Sequence, residues 1–305
     1  HNSPMAIGVI GVGAMGMGVV QSLLRSGNKT YVRDIVPERM IAAEKIGAVS
    51  FSSPAQLARA VEFVIILVVN AEQVEEVLFG ADGAAAALSK GSVVILSCTL
   101  APSYVEALAP RLAALQLKLI DAPVSGGPAR AAAGTMTVMA AGAPDAYLRC
   151  TGLLANISAK LFHLGDIPGA ASKMKLVNNL LAGVNLVAAA EAMALAMRID
   201  LDPKMVFDVV NESSGASWIF QDRMARVLNE DYEPRAALPI LTKDLGLALD
   251  LAKDKNFPAR LGALAHQVFS SSSQAAFGAE DDAAVIKYYQ CLADTSLPNN
   301  TPKDQ

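Results

Sequence analysis

The chain has 305 residues, 53% of them apolar and 18% charged, with a formal net charge of -4. This length allows two domains at the usual ~100–200 residues each, and a slightly acidic chain with scattered Lys and Arg has no basic field to hold nucleic acid. Cys98, Cys150 and Cys291 lie far apart with no Cys/His ligand spacing, which argues against a metal site or disulfide framework and for free thiols in a reducing, cytoplasmic compartment.

His1-Asn2-Ser3-Pro4 before Met5 reads as an expression-tag remnant, with no basic, apolar-cored leader after it. Ala6 to Gly11 is then predicted as a β-branched strand, Met15 to Ser26 as a helix, Lys29 to Asp34 as a second strand and Pro37 to Ile46 as the next helix. Between the first strand and helix sits Gly11-Val12-Gly13-Ala14-Met15-Gly16, a GxGxxG in the setting the dinucleotide fingerprint needs. Gly11 permits the tight turn, Gly13 lets a pyrophosphate approach the backbone, and Gly16 lets helix and strand pack closely. The N–H groups of Ala14 and Met15 open the helix toward that anion. Asp34 follows the second strand, where a carboxylate binds the ribose hydroxyls of NAD and repels the 2′-phosphate of NADP. Its alternative role is to cap the helix near Pro37, and the neighbouring Arg33 and Arg39 keep NADP open.

Phe63 to Val69, Ser92 to Ser97 and Leu117 to Asp121 are apolar runs of the kind buried on both faces of a parallel sheet. Asn70 and Thr99 follow the first two, at strand ends where open sheets bind ligands; either is equally an ordinary turn residue. After the third run comes Asp121-Ala122-Pro123-Val124-Ser125-Gly126-Gly127. Its Ser-Gly-Gly turn is expected to leave three backbone N–H groups and the Ser125 hydroxyl facing outward to hold a small anion such as a carboxylate. Thr137 to Ala141 adds a further strand before a helix from Pro144 to Leu154. Alternating strands and helices predict an α/β doubly wound sheet of the Rossmann type over residues 1–165.

Beyond a turn-rich hinge at Gly165–Gly169 no strand is expected. Ala170 to Met197 reads as one long helix, about 42 Å at ~1.5 Å per residue, too interrupted by Asn185 and Glu191 for a membrane span. Helices at Pro203–Glu212, Trp218–Asn229, Pro239–Lys253, Ala259–Gln274 and Asp281–Cys291 complete an all-α second domain over 166–295, joined to the first by that long interdomain helix and serving substrate and oligomer contacts. Residues 296–305 read as a disordered tail.

Lys175 and Asn179 lie four apart, hence one turn apart on the long helix. Alcohol oxidation needs a base for the hydroxyl proton, and a lysine partly buried beside a cofactor serves as base or acid; Asn179 can orient the hydroxyl or carboxylate. By periodicity alone Lys175 reads as a surface lysine, and Lys173 is a rival on another face. Lys243, beside Asp244, either returns toward the nicotinamide or forms a helix-surface ion pair. Trp218, the lone tryptophan, lines a pocket or packs in the core. His163 and His266 share no spacing suited to a metal or a Ser-His-Asp set.

The chain resembles the β-hydroxyacid dehydrogenase family, which includes 3-hydroxyisobutyrate dehydrogenase and tartronate semialdehyde reductase. The resemblance runs from about Met5 to Lys287, on Gly8-Val9-Ile10-Gly11-Val12-Gly13-Ala14-Met15-Gly16, the Asp121–Gly127 segment, Lys175-Leu176-Val177-Asn178-Asn179 and Lys243-Asp244-Leu245. It implies an NAD-dependent enzyme with its active site in a cleft between a Rossmann and a helical domain. Lys175 would be the acid/base and Asn179 its partner; Ser125, Gly126 and Gly127 would hold the substrate carboxylate, and Thr99 and Lys243 would contact NAD. Gly16-Met17-Gly18, Val69–Gln73, Leu78–Gly83, Ser214–Trp218 and Ala283–Lys287 are most similar to the family's sugar-acid branch. The expected substrate is a small hydroxy acid, a sugar acid such as L-threonate, with Trp218 among the residues lining its site. Within the family the alternatives are a 3-hydroxyisobutyrate dehydrogenase or an NADPH-linked reductase of tartronate or succinic semialdehyde or glyoxylate. A non-catalytic NAD-binding sensor is the alternative from another class. The expected partner is a second copy of the chain, with neither nucleic acid nor membrane.

Overall fold

The structure, a computed structural model, describes residues 5–294. The tail at 296–305 and the first four residues lie outside the described range. The chain divides into two compact units, His1–Leu176 and Val177–Gln305.

The first unit runs β1 (Ala6–Ile10), α1 (Ala14–Arg25), β2 (Lys29–Arg33), α2 (Pro37–Lys45), β3 (Val49–Ser50), α3 (Pro54–Ala58), β4 (Phe63–Ile66) and α4 (Ala71–Phe79). It continues with β5 (Val93–Leu96), α5 (Pro102–Ala114), β6 (Lys118–Asp121), β7 (Val124–Ser125), α6 (Gly127–Ala133), β8 (Met136–Ala140), α7 (Pro144–Ile157) and β9 (Ser158–His163). The first six strands form a parallel sheet in the order β3-β2-β1-β4-β5-β6, which is the doubly wound dinucleotide-binding order. Successive side chains face opposite sides. Ile7, Val9, Ile65 and Ile95 therefore pack under α1 and α7 with Val19, Leu23 and Leu153, while Ile10, Val64, Ile66 and Leu96 meet Leu57, Leu78 and Leu108 of α3, α4 and α5.

A smaller sheet, β7-β8-β9, follows, with β7 antiparallel and β9 parallel to β8. Reciprocal bonds of 2.9 Å between Asp121 and Ala141 tie it to the end of β6. Three boundaries depart from the sequence reading. The apolar run from Phe63 leaves the sheet at Ile66, and Val69 is substantially exposed. The Ser-Gly-Gly turn leads directly into a short helix, α6. Ser158–His163, given no structure by sequence, is a strand with no fully buried residue, which hides it from any apolar-run criterion.

The long helix α8 (Ala170–Arg198) carries the boundary between the units. It is followed by α9 (Pro203–Asn211), α10 (Trp218–Leu228), α11 (Leu238–Asp254), α12 (Arg260–Gln274), a 3-10 turn (Asp282–Val285) and α13 (Ile286–Ala293). Among the described residues of this second unit the only β-type pairing is an isolated bridge between Ala237 and Asp281. By length and composition α8 is apolar enough to cross a membrane, but half of its most apolar window is buried in protein. Leu186, Ala190 and Met193 of α8 join Phe220, Leu245 and Phe269 in the helical core.

That core encloses an ionic knot. Arg223 of α10 donates to both carboxylate oxygens of Asp282 (2.6 and 3.1 Å), and Arg226 donates to Asp281 (2.8 Å). Asp281 also accepts the N–H groups of Arg235 and Ala236, each at 3.0 Å, fastening the loop before α11. Burial opposes the charge on Arg223, and the facing Asp282 more than restores it, while burial pushes the Asp282 carboxyl up. Arg223→Ala would strand a buried carboxylate. It is expected to cost ~3–5 kcal/mol in chemical denaturation followed by far-ultraviolet circular dichroism; a loss below ~1 kcal/mol would mean the pair behaves as a solvated one.

Candidate active site

The carboxyl ends of β1, β2, β4, β5 and β6 share one edge of the parallel sheet, where open α/β sheets bind their ligands. At β1 the backbone of Gly11 has φ 93°, and a Cβ on Gly16 would overlap the Gly11 carbonyl. No atom lies within 4 Å of a Cβ built on Gly13, which is the N-cap of α1 and leaves the first turn without a side-chain cap. Open space over uncapped N–H groups suits a pyrophosphate.

Asp34 is buried beside that turn. Its Oδ2 accepts the Val12 N–H (2.7 Å) and its Oδ1 the Val36 N–H (2.8 Å). The cap position of α2 is held by Val36, so Asp34 ties the glycine turn to the end of β2 instead of capping the helix. Beyond these short bonds each oxygen takes a long contact of 3.5 Å from Arg39 Nη1, weak enough to yield to a hydroxyl donor. Arg39 approaches at 3.5 Å from a half-exposed position, and Arg33 reaches toward Met40 Sδ. Asn70 caps α4, its Oδ1 accepting the Gln73 N–H (2.9 Å). Thr99 is half-buried beyond β5.

The turn after β6 is built differently from the expectation of three outward N–H groups. Ser125 lies opposite Thr137, and the Met139 N–H donates to Pro123 O (3.0 Å). Hydrogen-bonded pairs alternate along an antiparallel ladder, so the Ser125 N–H is spent on Thr137. The donors left to the turn are the N–H groups of Gly126 and Gly127 and the Ser125 hydroxyl. Gly126 has φ 137° and Gly127 φ 75°, and a Cβ on Gly126 would sit 2.8 Å from Cδ of Arg130. The same alternation turns Val124 O away from β8. It accepts a hydrogen bond from Nζ of buried Lys175 (2.7 Å). Lys173, the rival, forms an exposed ion pair with Glu106 (3.0 Å).

In the helical unit the Asn179 amide donates to Asp244 Oδ2 (3.0 Å), and Lys243 Nζ lies 3.0 Å from Asp244 Oδ1. One buried carboxylate thus orients two of the residues singled out by sequence. Trp218, at the first position of α10, is half-exposed and not in the core; Ser217 before it caps the helix by accepting the Phe220 N–H (3.0 Å). Two residues escaped the sequence reading: Asp244, seen only as a surface ion-pair partner, and Asp121. Asp121 is fully buried and accepts the Gly169 N–H (2.8 Å), the Ser172 N–H (2.9 Å) and the Ser172 hydroxyl (2.7 Å). Among the described residues no group of three or more His, Cys, Asp and Glu is placed to hold a metal ion.

A 3-2-1-4-5-6 sheet with a glycine turn after β1 and a carboxylate after β2 defines a dinucleotide-binding protein. Residues 6–165 match the family described as the NAD binding domain of 6-phosphogluconate dehydrogenase, and residues 169–289 that described as NAD-binding of NADP-dependent 3-hydroxyisobutyrate dehydrogenase. The chain belongs to the 3-hydroxyisobutyrate dehydrogenase-like family of β-hydroxyacid dehydrogenases, NAD(P)-dependent enzymes acting on CH–OH groups. This sets aside the non-catalytic alternative. The chain is 50% identical to L-threonate dehydrogenase of Cupriavidus necator over 93% of this chain and 95% of the relative. It is 41% identical to the protein of that name in Escherichia coli strain K12, over 94% and 95%. The crystal structure of 3-hydroxyisobutyrate dehydrogenase from Salmonella typhimurium superposes with a TM-score of 0.88 at 43% identity, covering 93% of this chain and 99% of that one.

Gly126→Ala places a Cβ against Arg130 at a backbone angle that L-residues rarely adopt. With strain of ~1–3 kcal/mol, it is expected to raise KM for the hydroxy acid about tenfold or more while NADH affinity, read by fluorescence titration, stays unchanged. An unaltered KM would remove this turn from substrate binding.

Proposed function

We propose that this enzyme oxidises a small sugar acid, L-threonate or a close relative, with NAD as acceptor. The geometry that supports the chemistry is Lys175 Nζ at Val124 O, one residue before the Ser125–Gly127 turn. In this reading the Gly126 and Gly127 N–H groups and the Ser125 hydroxyl hold the substrate carboxylate. The neutral Lys175 amine keeps a lone pair after donating to Val124 O, and takes the proton of the substrate hydroxyl. In the reverse direction the ammonium returns it. Asn179, its amide set by Asp244, orients the substrate, and Trp218 adds an apolar wall. Gly11, Gly13, Gly16 and the N–H groups of Ala14 and Met15 hold the dinucleotide, Asp34 its ribose, and Asn70, Thr99 and Lys243 its nicotinamide half. When bound, the nicotinamide supplies the hydride acceptor.

The choice of a sugar acid rests on the L-threonate dehydrogenases at 40–50% identity. The Salmonella structure keeps 3-hydroxyisobutyrate as the second reading. Buried Asp34, accepting two N–H bonds, favours NAD; Arg33 and Arg39 support an NADPH-linked semialdehyde reductase. The reading also places the enzyme in the cytoplasm as a homo-oligomer. Exposed Leu181 on α8, Met205 and Val209 on α9 and Leu261 and Leu264 on α12 are apolar surface suited to a second copy.

NADH formation at 340 nm over L-threonate, D-erythronate, D-glycerate, 3-hydroxyisobutyrate and 4-hydroxybutyrate is expected to be fastest with L-threonate. Turnover confined to 3-hydroxyisobutyrate would discard the sugar-acid assignment and keep the chemistry. Lys175→Ala is expected to lower kcat by ~10²–10⁴-fold with NADH still bound, and near-normal turnover would end its assignment as acid/base. Asp34→Ala is expected to weaken NAD about tenfold or more, the ~1.4 kcal/mol scale of a charged hydrogen bond, and to narrow the gap to NADP. An unchanged cofactor ratio would show that Asp34 does not read the ribose.

A further inference from the structure

We infer that Asp121 is a positioning residue for the acid/base lysine: it pins the first turn of α8 against the end of β6 and so sets where Lys175 stands. The inference rests on Lys175 being the acid/base.

Three observations carry it. First, Asp121 is fully buried at the last position of β6, yet its carboxylate bonds neither its own strand nor its neighbours in sequence. Both oxygens are used 48 to 51 residues away, on Gly169 N–H, Ser172 N–H and Ser172 hydroxyl. These are groups at the start of α8, whose first-turn N–H groups have no partner within the helix. A carboxylate there also meets the positive end of the helix dipole. Second, Ser172 and Lys175 are three apart on α8 and so lie on one face; fixing one fixes the root of the other. Third, the chain from Asp121 runs directly into Val124, whose carbonyl accepts from Lys175 Nζ. The segment Asp121–Val124 therefore holds the lysine at both ends, root and tip, and continues into the Ser125–Gly127 turn. Burial pushes the Asp121 carboxyl up, and the bonds from Ser172 and Gly169 draw it back. A buried carboxylate is a costly way to cap a helix. Its use here is explained if the cap must come from the strand that also carries the substrate turn.

The experiment is a double-mutant cycle in the full-length enzyme: Asp121→Ala, Lys175→Ala and the pair, each with kcat, KM and an NADH titration that counts competent sites. Asp121→Ala is expected to cut kcat about 10–100-fold, the scale of a misplacement of ~1 Å. KM and NADH affinity should stay within about threefold, and in the Lys175→Ala background the same change should cost less than about threefold, because coupled residues are non-additive. Asp121→Asn keeps one oxygen for the two N–H groups and offers an amide to the Ser172 hydroxyl, so it should restore kcat to within a few-fold of the starting enzyme. If Asp121→Ala prevents folding, Ser172→Ala removes only the 2.7 Å bond and should give a smaller loss with the same non-additivity. Equal losses in both backgrounds, or a raised KM with kcat intact, would overturn the inference by placing Asp121 in folding or in the substrate turn. Near-normal kcat in Lys175→Ala would instead show that the acid/base reading had failed; any loss in Asp121→Ala would then have another origin, and the inference would fall with it.

Discussion

Helix α1 makes two approaches too close for any side chain, at Gly16 and at Gly18, and the geometry of the first unit depends on them. Gly16 lets its first turn sit against the Gly11 carbonyl, which fixes the uncapped N–H groups over the end of β1. Two residues later, a Cβ on Gly18 would lie 2.6 Å from Ala132 N and 2.7 Å from Ala131 Cβ, so α1 and α6 pack backbone to backbone. Ser22, fully buried on α1, donates to Ala131 O (2.6 Å), and Arg25 donates to Ala132 O (2.9 Å), serving carbonyls at the end of α6. α6 begins at Gly127. The phosphate turn and the proposed carboxylate turn are therefore set at fixed separation by one rigid helix, and a single methyl group at either glycine would change that spacing.

The period-two alternation of a short strand does comparable work at the lysine. β7 is only two residues long, yet its pairing with β8 decides which backbone groups are consumed and which are presented. The Ser125 N–H is consumed and Val124 O is presented. A register slip of one residue would exchange the two, removing the acceptor that holds Lys175 Nζ and freeing an N–H the turn does not use. Loop conformation alone could not fix a polar atom so firmly; a ladder bond on either side of it can.

Much of the fold was legible because a doubly wound sheet buries its strands on both faces. Phe-Val-Ile-Ile and Val-Val-Ile-Leu have no other economical use, and the glycine fingerprint between a strand and a helix names its own context. β9 was illegible for the complementary reason: Ser-Ala-Lys-Leu-Phe-His is half exposed, so burial writes no pattern into it. At the candidate site, sequence singled out residue types suited to carrying protons and binding anions, but not the carboxylates that bond them. Asp121 acts across 48 to 51 residues and Asp244 across 65. Nothing local marks a residue whose partners are so distant. Helical spacing separated Lys175 from Lys173 by face, and only the packing showed which face turns inward: one lysine meets a strand carbonyl, the other an exposed glutamate.

The relatives named for L-threonate and for 3-hydroxyisobutyrate act on molecules that both carry a carboxylate and a hydroxyl. If the turn binds the first and Lys175 takes a proton from the second, as proposed, neither tells the two apart. Discrimination has to come from groups that meet the further hydroxyls of a sugar acid. In the proposed reading such groups are donors that the helical unit already orients within itself. The Asn179 amide has given one N–H to Asp244 and retains the other. The Ser217 oxygen accepts from Phe220 N–H as a helix cap and still carries a proton to donate. A site that matches buried donors to hydroxyls rejects the analogue lacking them far more strongly than an apolar pocket rejects an extra hydroxyl, because the donors are then left unpaired. In the proposed reading, preference for a polyhydroxy acid would come from ordinary helix-capping and side-chain bonds that orient donors in advance, while the proton chemistry would stay with the lysine bonded to Val124 O.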